Sequence, residues 1–169
     1  MVRPILKLGT PALRCPAAAV ADFGGQTQQI IDDMIETMHA APGIGLAAPQ
    51  VGEALRLFVV DLSVGHKASD LQIFINPEIV ERDGMQLEEE GCLSVPGFVA
   101  TVLRPSRMVV RAADRDGSLR TVEGTGLLAR ALQHEMDHLD GLLYVHRLRG
   151  LQRASIERRV RKLEHLGRW

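Results

Sequence analysis

The stretch TGLLARALQHEMDHL, residues 125–139, decides how the rest of the chain is read. Leu127, Leu128, Ala131, Leu132 and Met136 recur at helical spacing, which predicts a helix from Thr125 to about Leu139. Inside it lies His134-Glu135-Met136-Asp137-His138, an H-E-x-x-H pattern. Residues four apart lie one turn up on the same helix face. Two imidazoles there can hold one metal ion, and Glu135 can reach a water beside it. Leu127, Ala131 and His134 also share a face, so the first two are either plain core or candidate walls of an apolar pocket next to the metal. Arg130 sits close to that face.

A catalytic centre of this kind needs a third protein ligand and an open position. Three candidates stand open. Cys92 lies in Glu90-Gly91-Cys92-Leu93-Ser94, where the preceding glycine leaves room for a substrate backbone. A downstream histidine would be a metzincin-like choice, but Tyr144 holds that place and His146 falls two residues late. Glu157 would serve as in thermolysin-like peptidases, although it can equally pair with Arg161 one helical turn on. Glu90 and Asp137 are candidates to receive the second ring N–H of a ligand histidine.

Working outward, Ile30, Ile31, Met34, Ile35 and Met38 predict an amphipathic helix over 27–40, stopped by Pro42 and Gly43. Short β-branched runs follow: RLFVVDL (56–62), QIFINP (72–77), EIVER (78–82), MQLEEE, VATVL and RMVVRAAD. These read as strands. The turn DRDG (114–117) joins RMVVRAAD to SLRTVEG as a hairpin. A third helix is expected over 151–166. One helix, many short strands and then helices predict an α+β fold. In it, antiparallel strands pack around a central helix carrying H-E-x-x-H, with a C-terminal helix beyond. No linker or repeat divides the chain, so residues 1–169 are expected to form one domain.

The bulk numbers exclude little but point one way. Net charge is −1 and charged residues make up 24%, so the whole molecule has no strong pull toward DNA or a membrane surface. No apolar run reaches the length of a membrane span, and MVRPILKLG lacks a signal-peptide core. A cytoplasmic protein is expected. Cys15 and Cys92 are then free or metal-bound thiols rather than a disulfide. From Arg147 to Trp169 the chain carries eight Arg/Lys against two Glu, a locally basic tail.

Three motifs, in order, carry a resemblance. Gly43-Ile44-Gly45-Leu46-Ala47-Ala48-Pro49-Gln50, Glu90-Gly91-Cys92-Leu93-Ser94 and Gln133-His134-Glu135-Met136-Asp137-His138 resemble the G-φ-G-φ-A-A-x-Q, E-G-C-φ-S and Q-H-E-x-D-H motifs of the peptide deformylases. The first alone would read as a Gly/Pro turn, since it matches neither phosphate-binding fingerprint. The likeness covers most of the chain and implies a bacterial-type enzyme with a C-terminal helix.

The resemblance implies a hydrolase that removes the formyl group from formyl-methionine on nascent peptides. It implies one divalent ion on Cys92, His134 and His138, iron(II) in the native enzyme, with zinc, nickel or cobalt possible after purification. It gives Glu135 the proton transfers, and gives the Gln50 side-chain amide and the Leu93 backbone N–H the oxyanion. Ile44, Gly45 and Gly91 would pair with the substrate backbone, and Arg104 would contact the substrate's carboxyl-terminal side. The basic tail, through Arg153, Arg158, Arg159 and Lys162, would be a ribosome contact or merely a solvated helix. Two rival readings remain: an H-E-x-x-H peptidase using Glu157, and a metal-stabilised binding module without turnover.

Overall fold

A computed structural model describes residues Met1–Trp169. The first helix, α1, spans Gly25–Ala40 and buries Ile30, Ile31, Met34 and Met38. Pro42 cannot donate to a further turn, and the Gly43 N–H closes the helix on the Met38 carbonyl at 2.9 Å. Strands β1 (Gly45–Ala47), β2 (Leu57–Asp61), β3 (Leu71–Asp83), β4 (Gln86–Gly91), β5 (Val99–Arg104), β6 (Arg107–Ala113) and β7 (Leu119–Thr125) follow. The chain then forms α2 (Gly126–Leu139) and α3 (Leu151–His165).

All strand pairs are antiparallel. Five strands form one sheet in the order β1-β2-β3-β6-β7, and β4-β5 form a separate two-stranded sheet. The α+β expectation holds, with strands around a central helix. One correction concerns β3, which the sequence splits at Asn76-Pro77. The strand runs through as thirteen residues, with register shifts at Ile75/Glu78 and Ile79/Glu81. Asn76 takes a positive φ of 51° and exchanges two hydrogen bonds with the Val20 backbone. Turn-like residues thus make a bulge inside one strand rather than a break between two.

The large sheet is covered on both faces, which explains the unbroken apolar run of β2. Leu57 and Val59 join the α1 side with Ile31, Met34 and Ile75. Phe58 and Val60 join Phe74, Val110, Leu132 and Met136 on the α2 side. Successive side chains point to opposite faces, so both sets need burial. A third cluster ties the β4–β5 sheet to the C-terminal part through Phe98, Val102, Tyr144, Val145, Ile156 and Val160.

Helix α2 is the centre of the molecule. Every residue from Ala129 to Leu139 is buried, including Arg130, Gln133, His134, Glu135, Asp137 and His138. A helix buried all round normally carries apolar residues on every face. Six polar side chains there cost free energy unless each has a partner.

Candidate active site

The partners come mainly from the β4–β5 sheet. His134 and His138 stand one turn apart on α2, with ring centroids 5.0 Å apart. Cys92 follows directly on β4 and brings its sulfur to 3.3 Å from His138 Nε2. The ligand atoms of Cys92, His134 and His138 all lie within 4.8 Å of one another. Of the three third-ligand candidates, only Cys92 joins the pair. Glu157 is held by Arg153 at 2.8 Å on α3, not by Arg161. His146 lies against Arg14 and the Leu143 N–H.

Glu90 fixes one histidine. Its carboxylate meets His134 Nδ1, which leaves Nε2 of that ring free for a ligand. Arg104 grips the same carboxylate through Nε at 3.0 Å and Nη2 at 2.6 Å. Burial pushes the Glu90 carboxyl up, but His134 and Arg104 outweigh it and leave it near 2, so Glu90 is a firm anion. Burial likewise pushes His134 down, yet the Cys92 sulfur and Glu90 draw it well above the ordinary histidine value. The surroundings of His134 therefore favour positive charge, and a divalent cation answers the same field. Burial keeps His138 well below its ordinary value, hence neutral and able to coordinate. A sulfur and two imidazoles around a cleft fit a zinc, iron(II), nickel or cobalt ion with an open position.

Glu135 is 3% exposed and its Oε2 has no hydrogen-bond partner. Burial pushes its carboxyl up to about 7, where it can both take and return a proton near neutrality. Gln50 sits on a short 3₁₀ turn after β1. Its Oε1 accepts the Ala47 N–H at 2.8 Å, which turns Nε2 toward Ser94 Oγ at 3.1 Å and Cys92 Sγ at 3.7 Å. The Leu93 N–H is engaged by no backbone carbonyl. These groups line a cleft of about 280 Å³ together with Ile44, Gly45, Gly91, Leu127 and Ala131. Leu127 is 51% exposed at the rim, and Ala131 lies deeper at 4%. Arg130 crosses from α2 to β4, donating to the Glu88 carbonyl and to Gln86 Oε1.

Two expectations change. Arg104 does not line this cleft. It is 1% exposed and gives its guanidinium to Glu90 and to Asp137 at 2.6 Å. Its place in the sequence, thirteen residues past Gly91, hides the fact that β5 pairs it with Gln86 on the face of the hairpin that also carries Glu90, so its guanidinium reaches inward to that carboxylate. Asp137 receives no histidine N–H; it takes Arg104 and both Nε and Nη2 of Arg147. Sequence reading missed Arg147 and Tyr144. The Tyr144 ring lies nearly parallel to His134 at 6.4 Å, and its hydroxyl donates to the Phe98 carbonyl. No local signal marks either residue. Ser94, by contrast, was visible in the Glu90–Ser94 motif but assigned no task.

The family model described as "Polypeptide deformylase" matches residues 2–154. A peptide deformylase of Acidobacterium capsulatum is 46% identical, covering 100% of this chain and 99% of its own. One from Xylella fastidiosa strain M12 is 48% identical over 94% of each chain. Among solved structures, a peptide deformylase from Legionella pneumophila superposes with a TM-score of 0.92 at 44% identity, covering 99% of this chain and 98% of that one. A peptide deformylase from Synechococcus elongatus, solved in complex with actinonin, gives 0.87 at 37% identity, covering 99% and 90%.

Proposed function

This chain belongs to the peptide deformylase family, and from that premise we propose how its residues divide the work. The enzyme hydrolyses the N-formyl group from the formyl-methionine of nascent polypeptides and releases formate. The family is metal-dependent. The observation that carries the residue assignment is the convergence of Cys92, His134 and His138 within 4.8 Å beside a buried, unpartnered carboxylate. We take residues 1–169 as one deformylase domain.

Cys92, His134 and His138 would hold the ion, and iron(II) is our reading for the native enzyme. When bound, such an ion supplies Lewis acidity and brings the pKa of a water to about 7. The chain does the rest. Glu135 accepts the water's proton on its carboxylate and returns it to the departing amine nitrogen. The Gln50 side-chain amide and the Leu93 N–H donate to the oxygen that gains charge as the formyl carbon becomes tetrahedral. β1 has β2 as its sole sheet partner and β4 has β5, so each offers an open edge at the cleft. An extended peptide laid between Ile44-Gly45 and Gly91 can pair with these edges. The methionine side chain would rest on Leu127 and Ala131 beside His134. Arg104 takes no part in this contact and instead positions Glu90 and Asp137.

No helix is long and apolar enough to cross a membrane. The nature of the substrate supports a cytoplasmic site of action. It also supports a ribosome contact through α3, where Arg158, Arg159, Arg161 and Lys162 are exposed and Ile156 and Val160 alone are buried. Binding of that kind weakens steeply with salt. A chain ending before Leu151 that folds and still co-sediments with ribosomes would remove the idea.

The deciding experiment is formate release from a formyl-Met tripeptide by anaerobically purified protein and by its Glu135→Ala variant, with iron measured in both. Release by the first and none by a metal-bearing second supports the assignment. Cleavage of an internal peptide bond without formate release would overturn it.

A further inference from the structure

A second concavity of about 270 Å³ shares no lining residue with the catalytic cleft. Arg82 near the end of β3, Met85, Leu103, Arg104, Gln133 and Arg147 enclose it, and no carboxylate lines it. Its three guanidiniums are not equally occupied. Arg104 is spent on Glu90 and Asp137. Arg147 gives Nε and Nη2 to Asp137 and keeps Nη1 without a partner. Arg82 is exposed and makes no hydrogen bond or ion pair. Gln133 is 6% exposed, yet its side-chain amide also makes none.

The Gln133 amide N and O are not sealed from solvent, so the side chain opens into the concavity with its donors unused. Charge points the same way. Glu90 and Asp137 set two negative charges against the three guanidiniums of Arg82, Arg104 and Arg147. The pocket is left with surplus positive charge and with unused donors from three separate parts of the chain.

We propose that this pocket is an anion site for a phosphate monoester. Arg82, Arg147 Nη1 and the Gln133 amide reach its oxygens, and Met85 and Leu103 cover its organic part. A single guanidinium fork is enough for a planar carboxylate. Donors arriving from β3, α2 and the segment after α2 suit a tetrahedral group with three oxygens to offer. Met85 and Leu103 are 77% and 59% exposed, so an apolar body against them removes surface that otherwise faces water. The site does not depend on the deformylase assignment. It does lie next to its machinery, because Gln133 precedes His134 and Arg147 shares Asp137 with Arg104.

Calorimetric titration of the zinc-loaded full chain tests this, with phenyl phosphate, inorganic phosphate and benzoate as probes in low-chloride buffer. The expected result is one phenyl phosphate per chain, bound more tightly than either other probe. Arg82→Ala should weaken it about tenfold, the loss of one charge-assisted contact. Arg82→Glu should abolish it, while both variants release formate at the wild-type rate without phosphate. An unchanged Kd in Arg82→Glu overturns the proposal, since it places the anion elsewhere, on the metal included. Absence of binding in the millimolar range also overturns it. Equal affinity for inorganic and phenyl phosphate overturns the part assigned to Met85 and Leu103.

Discussion

A Cβ added to Gly45 would meet Glu135 Cδ at 2.9 Å and Cγ at 3.1 Å, so the glycine is what lets the carboxylate reach the cleft. Gly45→Ala should push Glu135 aside and lower kcat by about 10- to 100-fold, because small misplacements of a reacting group are costly. The check is steady-state formate release with metal content held equal. Glu135→Gln keeps the shape but cannot accept the proton. Its kcat should fall by about 10²–10⁴-fold with the metal retained. Gln50 is aimed by the Ala47 N–H on its Oε1, which leaves the amide Nε2 as the donor. Gln50→Ala should cost about 2.7–4 kcal/mol of barrier. A variant with wild-type kcat and full metal content would remove Gln50 from oxyanion binding.

At the scale of elements, α2 and the β4–β5 sheet are locked together by charge rather than by apolar packing alone. Arg104 joins Glu90 on β4 to Asp137 on α2, and Arg147 joins in from the segment after α2. Arg104→Met strips both buried carboxylates of a partner and should destabilise the fold by about 3–5 kcal/mol, read from urea unfolding. It should also loosen metal binding by about 10- to 100-fold, since Glu90 would no longer hold His134 firmly. A loss below about 1 kcal/mol would show that water replaces the arginine easily. The same network marks where the sequence stops being readable. The helical spacing of Leu127 to Met136 and the DRDG turn of the β6–β7 hairpin are local patterns, and both elements form as read. The Cys92–His134–His138 group that could hold a metal was legible because two of its members share one helix turn and the third stands in a motif of its own. Arg104 was misplaced because its direction depends on the pleat and pairing of β5. Tyr144 and Arg147 reach the site through folding of distant chain, which leaves no trace in spacing. Asn76-Pro77 shows the reverse case: a strong local turn signal overridden by pairing along β3.

Across the whole molecule, acid should act through carboxylates that the fold holds in their ionised form. Burial pushes Asp61 up, but hydrogen bonds from Ser63, His39 and Gly65 outweigh it and leave the group below its ordinary value. The N-terminal amine, Gln29 and Arg3 depress Asp33, and Glu90 lies near 2. For each, the folded pKa is below the unfolded one. Their stabilisation is therefore full above the unfolded value near pH 4 and is lost as pH falls through the folded value. Glu135 runs the other way. Its folded value of about 7 exceeds the unfolded one, so its contribution is full below about pH 4 and is lost as pH rises through 7. One opposing group does not cancel several, and protons also compete for the ligand sulfur and imidazoles. Urea midpoints measured from pH 7 down to pH 2.5 should fall steeply below about pH 5, with metal released over the same range. Asp61 separates the two contributions because it closes strand β2, outside the ligand group, and is 1% exposed. Asp61→Asn should lower the neutral plateau by about 1–3 kcal/mol, the cost of donors left poorly paired. It should also flatten the acid limb without changing the pH at which metal leaves. An acid limb as steep as that of the wild type would place the acid sensitivity in the metal centre alone.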